Sequence, residues 1–411
     1  MLVTAFDDFE LPKVRVSVMS SLLGIGIFTL NGTSWSRARS VLKPSLARSK
    51  MDALPGILDK HFGAFMRHVS PTTTTETAAR TATRTIIDLQ PLFFAITMDV
   101  ATEFLFGRST GMLDSDKGTN EYDKQFLDDY MFCSEEAVKR MRMGPLSRFQ
   151  YSKPANEAKR RVFAYVDKYI EESLARNARR GSAISDNNVL TELADAIGDR
   201  KLLRDQVLHI LLASRDTTAS LLSNLFFVLA RKPDMYQRLR QEVVNALGSG
   251  QPTFAQLKDM TYLKWCVNES LRLHPVIPSN AREAVRDAVL PHGGGPDGES
   301  PLLVPKGTVV IYNFYSMHRD ESVFGPRPEE FDPERWDGLR PGWNFLPFNG
   351  GPRACIGQQF ALLESHYIIA RLVQAFASMT SRDETEEWME LSALAMTCRN
   401  GVEVSLHRAS S

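Results

Sequence analysis

The longest sustained helical pattern runs over residues 202–230. Apolar positions recur at Leu203, Val207, Ile210, Leu211 and Leu212, then at Leu221, Leu222, Leu225, Phe226 and Leu229. Steps of three and four residues predict one long, largely buried helix. Residues 89–107 repeat the spacing with Leu92, Phe93, Ile96, Val100 and Phe104, and residues 122–180 predict helix with charged faces. Pro233 predicts the end of the long helix. Residues 234–247 and 254–274 predict two more, the second closed by His274-Pro275. Residues 358–372 read as another helix.

Period-two and β-branched runs are few. Leu302-Leu-Val and Thr308-Val-Val-Ile-Tyr flank Pro305-Lys-Gly and read as strands, and residues 391–406 predict a few more. The fold class expected is therefore mainly α with a small β portion. Residues 2–18 predict a short helix and loop. The stretch 22–30 carries Gly24 and Gly26 but lacks the third glycine and the strand–loop–helix frame of a dinucleotide site, so it reads as a turn. Asn31-Gly32 is a turn signal, with Thr33 or Ser34 as the expected helix cap. Residues 71–85 read as an exposed Thr-rich loop, 181–188 as a polar break, 291–301 as a turn-rich loop and 331–346 as an irregular meander.

Composition narrows the classes. A chain of 411 residues with 43% hydrophobic content can build one large core or two ordinary ones. Lys+Arg and Asp+Glu are equal at 49, so no net field favours nucleic acid. The four cysteines (Cys133, Cys266, Cys355, Cys398) are too scattered for a disulfide framework, and no Cys-x-x-Cys or His-Glu-x-x-His supports a zinc site. No signal segment and no run of about 18 apolar residues is visible, so no transmembrane helix is expected.

The chemistry concentrates in Phe348-Asn-Gly-Gly-Pro-Arg-Ala-Cys-Ile-Gly357. Cys355 sits in a glycine-lined loop just before a predicted helix. A soft thiolate in such a loop is a candidate metal ligand, and the helix start favours its ionised form. Gly350, Gly351 and Gly357 would let the backbone pass close to a flat ligand. The plainer alternative is a buried structural cysteine in a turn. A second oddity is Ala213-Ser-Arg-Asp-Thr-Thr-Ala219, inside the longest apolar helix. Two threonines and an acid there are weak helix formers and costly to bury. They mark either a functional site or a polar seam between helices.

The pattern Phe-x-x-Gly-x-Arg-x-Cys-x-Gly is met at Phe348, Gly351, Arg353, Cys355 and Gly357. It resembles the haem-binding loop of the cytochrome P450 monooxygenases. Further motifs follow the family's order. Trp35 and Arg39, on one helix face, match the Trp-x-x-x-Arg that reaches a haem propionate; without haem they would be a stacked surface pair. Asp216 and Thr217 match the acid–alcohol pair that delivers protons on the oxygen side of the haem, with Ser214 where the family has glycine. Glu269 and Arg272 match Glu-x-x-Arg, which pairs with an arginine corresponding to Arg335 of Pro333-Glu-Arg-Trp336. Arg282 resembles the arginine that meets a propionate.

The resemblance covers most of the chain. It implies a single cytochrome P450 domain over residues 1–411, haem b on the Cys355 thiolate, and insertion of one oxygen atom of O2 into a substrate. It implies electrons from NADPH through a separate cytochrome P450 reductase. The surrounding text is most similar to the fungal branch that hydroxylates alkanes and fatty acids, and fungal relatives also tailor secondary metabolites. An apolar, aliphatic small-molecule substrate is the expectation. The family expectation for location is the cytosolic face of the endoplasmic reticulum membrane, with membrane contact but no anchor in this chain. Trp35 comes early, so a first helix and first strands are expected to be missing. The alternative to an active enzyme is then a truncated, inactive haem-binding relative.

Overall fold

The computed structural model describes residues 1–46, 51, 53–69, 86–114, 121–180 and 189–408. The Thr-rich stretch 71–85 and the break 181–188 lie outside them.

The chain opens with a short strand β1 (Phe9–Glu10), helix α1 (Lys13–Leu23), α2 (Gly32–Ser45) and α3 (Leu54–Val69). β2 (Ile87–Asp88) runs straight into α4 (Leu89–Phe106), which Asp88 caps by accepting the Gln90 N–H. Then come α5 (Glu121–Arg142), α6 (Lys153–Arg180) and α7 (Val189–Ile197). The long pattern becomes α8 (Arg200–Leu229), 30 residues capped by the Asp199 carboxylate on the Leu202 N–H. α8 stops at Leu229; Pro233 does not end it but opens α9 (Pro233–Leu247) at its first turn, where a missing N–H costs nothing.

Residues 254–274 form two helices, not one. α10 (Phe254–Asp259) starts on a Thr253–Gln256 capping box, and α11 (Thr261–Leu273) begins after Met260 turns extended. β3 (Ser279–Ala284), β4 (Ala288–Gly294), β5 (Ser300–Val304) and β6 (Val309–Asn313) follow. β4 extends into the stretch expected to be a loop, through an irregular register between Leu290 and Gly294. Two single helical turns, α12 (Phe314–Met317) and α13 (Glu321–Phe324), lead to the meander, which folds into short 3-10 turns. α14 (Gln358–Ala375) follows the Cys355 loop. β7 (Phe376–Ser381), β8 (Glu390–Ser392), β9 (Met396–Cys398) and β10 (Glu403–Arg408) close the chain.

Among the described residues four small antiparallel sheets result: β1-β3-β6, β2-β10-β7, β4-β5 and β8-β9. The helices from α1 to α11, with α14, share one apolar core. α8 lies at its centre and packs against α4, α11 and α14. α4 is long and apolar enough to cross a membrane, with a mean hydropathy of 1.3, but most of it is buried inside the protein. Its composition is that of a core helix flanked on several sides.

Candidate active site

The Cys355 loop is pinned by its own backbone. The Cys355 N–H donates to the Phe348 carbonyl at 2.8 Å, and Phe348 packs on the main core. Gly351 has φ +71°, and a Cβ there would strike the Leu2 carbonyl; at Gly350 it would strike the Trp343 ring. These two glycines therefore answer to protein neighbours. A Cβ at Gly357 would meet open space, so Gly357 is the one of the three beside which a flat ligand has room.

Cys355 is exposed to solvent, yet protein crowds it enough that burial raises its thiol above the ordinary value. Solvent reaches the side chain although protein atoms lie on most sides of it. The Gly357 N–H and Arg39 pull the other way. The helix start does favour the thiolate, but burial outweighs it, so full ionisation needs a further positive partner.

Such charge is assembled alongside. Arg39 (α2), Arg15 (α1), Arg282 (β3) and Arg353 are within electrostatic reach of one another or of Cys355. Burial, then Arg282 and Arg15, push Arg353 down to about 10; burial, then Arg282, push Arg15 down to about 10. Arg282 is buried, and its bonds go to the Ala281 carbonyl at 2.8 Å and to Asn280 Oδ1 at 3.3 Å. Arg353 donates to the Leu30 carbonyl and Asn31 Oδ1, and its Nε is buried without a partner. Among the described residues, Glu10 is the carboxylate that acts on this group, through Arg353. Trp35 is buried beneath: the Arg353 guanidinium lies 4.3 Å and that of Arg39 5.9 Å from its ring centre. Clustered cations short of counter-charge fit a dianion. A haem, with two propionates and an iron that takes a thiolate, matches that deficit and Cys355 together. Arg15 escaped the sequence reading because nothing in its neighbourhood marks it. Asn31, not Thr33 or Ser34, stands at the start of α2, and its side chain ties Leu11 and Arg353.

On α8, Thr217 Oγ1 donates to the Ala213 carbonyl at 2.7 Å and Ser214 Oγ to that of Ile210 at 2.9 Å. Both replace solvent by back-bonding to the preceding turn. Thr97 of α4 donates to the Arg215 carbonyl at 3.1 Å. Asp216 is half-buried and paired with Arg215 at 2.7 Å. Burial raises its carboxyl, with Arg215 opposing.

Behind it lies a residue the sequence reading passed over. Glu364, on α14, is fully buried, and neither of its oxygens has a hydrogen-bond partner. Burial pushes it up to about 8, with the nearby Thr218 hydroxyl, itself without a formed bond, opposing. Its place in Phe-Ala-Leu-Leu-Glu, on the apolar face of a helix, was the available signal.

Glu269, Arg272 and Arg335 meet below. Glu269 and Arg272 form a fully buried bidentate pair with both bonds at 2.8 Å. Glu269 also accepts from Trp336 Nε1 at 3.0 Å and from the Asp332 N–H at 2.9 Å, while Arg335 reaches it at 3.4 Å. Arg272 donates further to the carbonyls of His318, Pro328 and Glu330.

A family profile described as Cytochrome P450 matches residues 7–402. The chain is 39% identical to cytochrome P450 monooxygenase fsdH of Fusarium heterosporum, over all of this chain and 72% of that protein. It is 41% identical to cytochrome P450 monooxygenase FPY7 of Fusarium mangiferae, over 99% of this chain and 77% of that protein. It is 39% identical to cytochrome P450 52A13 of Debaryomyces hansenii, over 99% and 79% respectively. With the fold, the Cys355 loop and the arginine cluster, these matches place the chain in the cytochrome P450 family, the haem b-dependent monooxygenases with a cysteine thiolate on iron.

Proposed function

We propose that this monooxygenase inserts one oxygen atom of O2 into an apolar, aliphatic substrate: a fatty acid, an alkane or a fungal secondary metabolite. The observation that carries the haem-thiolate chemistry is the cluster of Arg15, Arg39, Arg282 and Arg353, short of carboxylates, beside an exposed Cys355, and the aliphatic substrate rests on the resemblance to the fungal alkane and fatty-acid branch. Cys355 would ligate the iron, and the four arginines with Trp35 would hold the propionates. Phe348 would pack beside the sulfur. Bound haem b supplies the activation of O2, with electrons from NADPH–cytochrome P450 reductase.

The chain's own residues manage water and protons. Thr217 Oγ1, its proton directed to Ala213, keeps its lone pairs free to accept from a water at the helix groove. The carboxyl of Asp216, raised by burial and fixed by Arg215, can take a proton from outside and pass it to that water. Exposed Leu146, Phe149 and Tyr151, beside Arg148, favour contact with a membrane surface, in keeping with a place at the endoplasmic reticulum.

A reduced carbon monoxide difference spectrum tests the ligand. A thiolate-type Soret band in the wild type that is absent from Cys355→Ala is expected; its survival in the variant would assign the iron to another residue. In the same assay series Thr217→Ala should keep the band while product per NADPH falls roughly tenfold or more, as for a lost proton-transfer group.

A further inference from the structure

We propose that the cavity between α1, α5 and the start of α6 is a carboxylate site, which receives the head group of an aliphatic acid. The cavity has a volume of about 160 Å³ and is lined by residues that include Arg140, Lys159, Gln150, Glu136, Ser21 and Tyr151. Its charges do not balance. Glu136 is engaged by Lys139 at 3.5 Å and by Gln150 Nε2 at 3.3 Å. Arg140 spends one nitrogen on Ser21 Oγ at 3.1 Å, while its Nε is buried without a partner. Lys159 stands half-buried over the Phe163 ring at 5.0 Å, with no carboxylate within ion-pair distance among the described residues. Burial lowers its ammonium, Asp205 and Cys133 oppose, and Arg204 and Arg140 add to the lowering. Cys133, which also lines the cavity, does not supply a counter-ion, because burial and Asp129 push its thiol up to about 11.

Arg140 and Lys159 thus line one cavity, and neither has an ion-pair carboxylate among the described residues. A carboxylate satisfies both in charge-assisted bonds. The buried, unpartnered Gln150 Oε1 then accepts from a bridging water. The rim selects an amphiphile over a bare ion. Tyr151 lines the cavity edge at 78% exposure, and Phe149 (73%) and Leu146 (63%), the surface proposed above to meet a membrane, lie just before it in the chain, so an amphiphile can enter from the membrane with its head group in the cavity. The alkyl part of this ligand rests on the aliphatic reading above, whereas the anion site does not.

The test is equilibrium binding to the haem-loaded protein of dodecanoate and dodecanol, with acetate and inorganic phosphate as competitors. Dodecanoate should bind more tightly than dodecanol, with an advantage that shrinks as salt rises. Arg140→Gln should weaken dodecanoate about tenfold or more, the scale of one lost bond to a charged group, and leave dodecanol within about twofold. Lys159→Gln should do the same and serves as the second variant should Arg140→Gln lower the melting temperature. Equal losses for acid and alcohol, or none for either, overturn the site. Stronger competition by phosphate than by acetate overturns the carboxylic acid in favour of a phosphate head group. Product analysis separates this from the substrate reading. Selective acid binding without hydroxylated product would refute the aliphatic substrate and leave the site standing. Turnover of dodecanol without acid selectivity would do the reverse.

Discussion

Glu364 shows how much a single buried side chain can bias this protein. Its carboxyl sits between α14 and α8 with no hydrogen bond, and burial pushes it up to about 8. The unfolded chain releases that proton in the ordinary glutamate range, near pH 4.3. Between there and about pH 8 the folded state binds more protons than the unfolded one, so its stability falls as pH rises. Glu364→Gln removes the titration. Melting temperature measured from pH 5 to 8.5 should decline less steeply for the variant than for the wild type. Parallel curves would mean that the carboxyl is already ionised in the fold. The same scale explains why the three loop glycines differ. Gly351 answers to a positive φ and Gly350 to an aromatic wall, and Gly357 alone borders open space.

Elements are locked to one another by a few polar anchors set in apolar surroundings. The Glu269–Arg272 pair joins α11 to the meander through Trp336 and the Asp332 N–H, and to the segment before it through the His318, Pro328 and Glu330 carbonyls. Such a pair adds little net stability over apolar residues, but breaking it strands a buried charge. Glu269→Ala should therefore cost about 3–5 kcal/mol, read as a shift in the denaturant midpoint or as loss of soluble protein. A small shift would mean that water enters and solvates Arg272. α8 holds the loop between α1 and α2 in a comparable way. Asp205, Gln206 and His209 accept the N–H groups of Ile25, Ile27 and Phe28 at 2.9, 3.3 and 3.1 Å. Burial lowers His209 to about 3, with the Gly24 backbone opposing, so it stays a neutral acceptor throughout the physiological range. Gly26 is packed on that ring, where a Cβ would come within 2.7 Å of it. What reads locally as an ordinary glycine turn is thus a strap tied to the central helix.

Across the whole molecule, charge is stored where a ligand would release it. α1, α2, β3 and the Cys355 loop each send an arginine to one place, where like-charge repulsion and burial both work against the charged groups. Arg282→Gln should relieve this. The haem-free protein is expected to melt at a higher temperature than the wild type, while the haem-loaded protein loses haem faster to a competing acceptor. Opposite signs in the two states would identify a ligand-directed cluster; equal destabilisation in both would make Arg282 a purely structural residue.

Local chemistry was sufficient for much of this. Helical periodicity announced α4, α8 and α14, and the ordered motifs carried the family, because they depend on spacings of ten residues or fewer. The sequence likewise showed that Cys355, Asp216 and Thr217 were chemically out of place. It did not show α3, the break at Met260 or the extension of β4, where propensity is ambiguous and packing chooses. Nor could it find Arg15, Glu364 or the Arg140–Lys159 cavity. Each depends on groups distant in sequence, such as Arg15 with Arg353 or Glu364 with Thr218, sharing one low-dielectric space. The sequence by itself determined which residues have unusual chemistry. Only the tertiary structure decided which of them lack a partner, because desolvation and charge balance are sums over neighbours that the linear order does not contain.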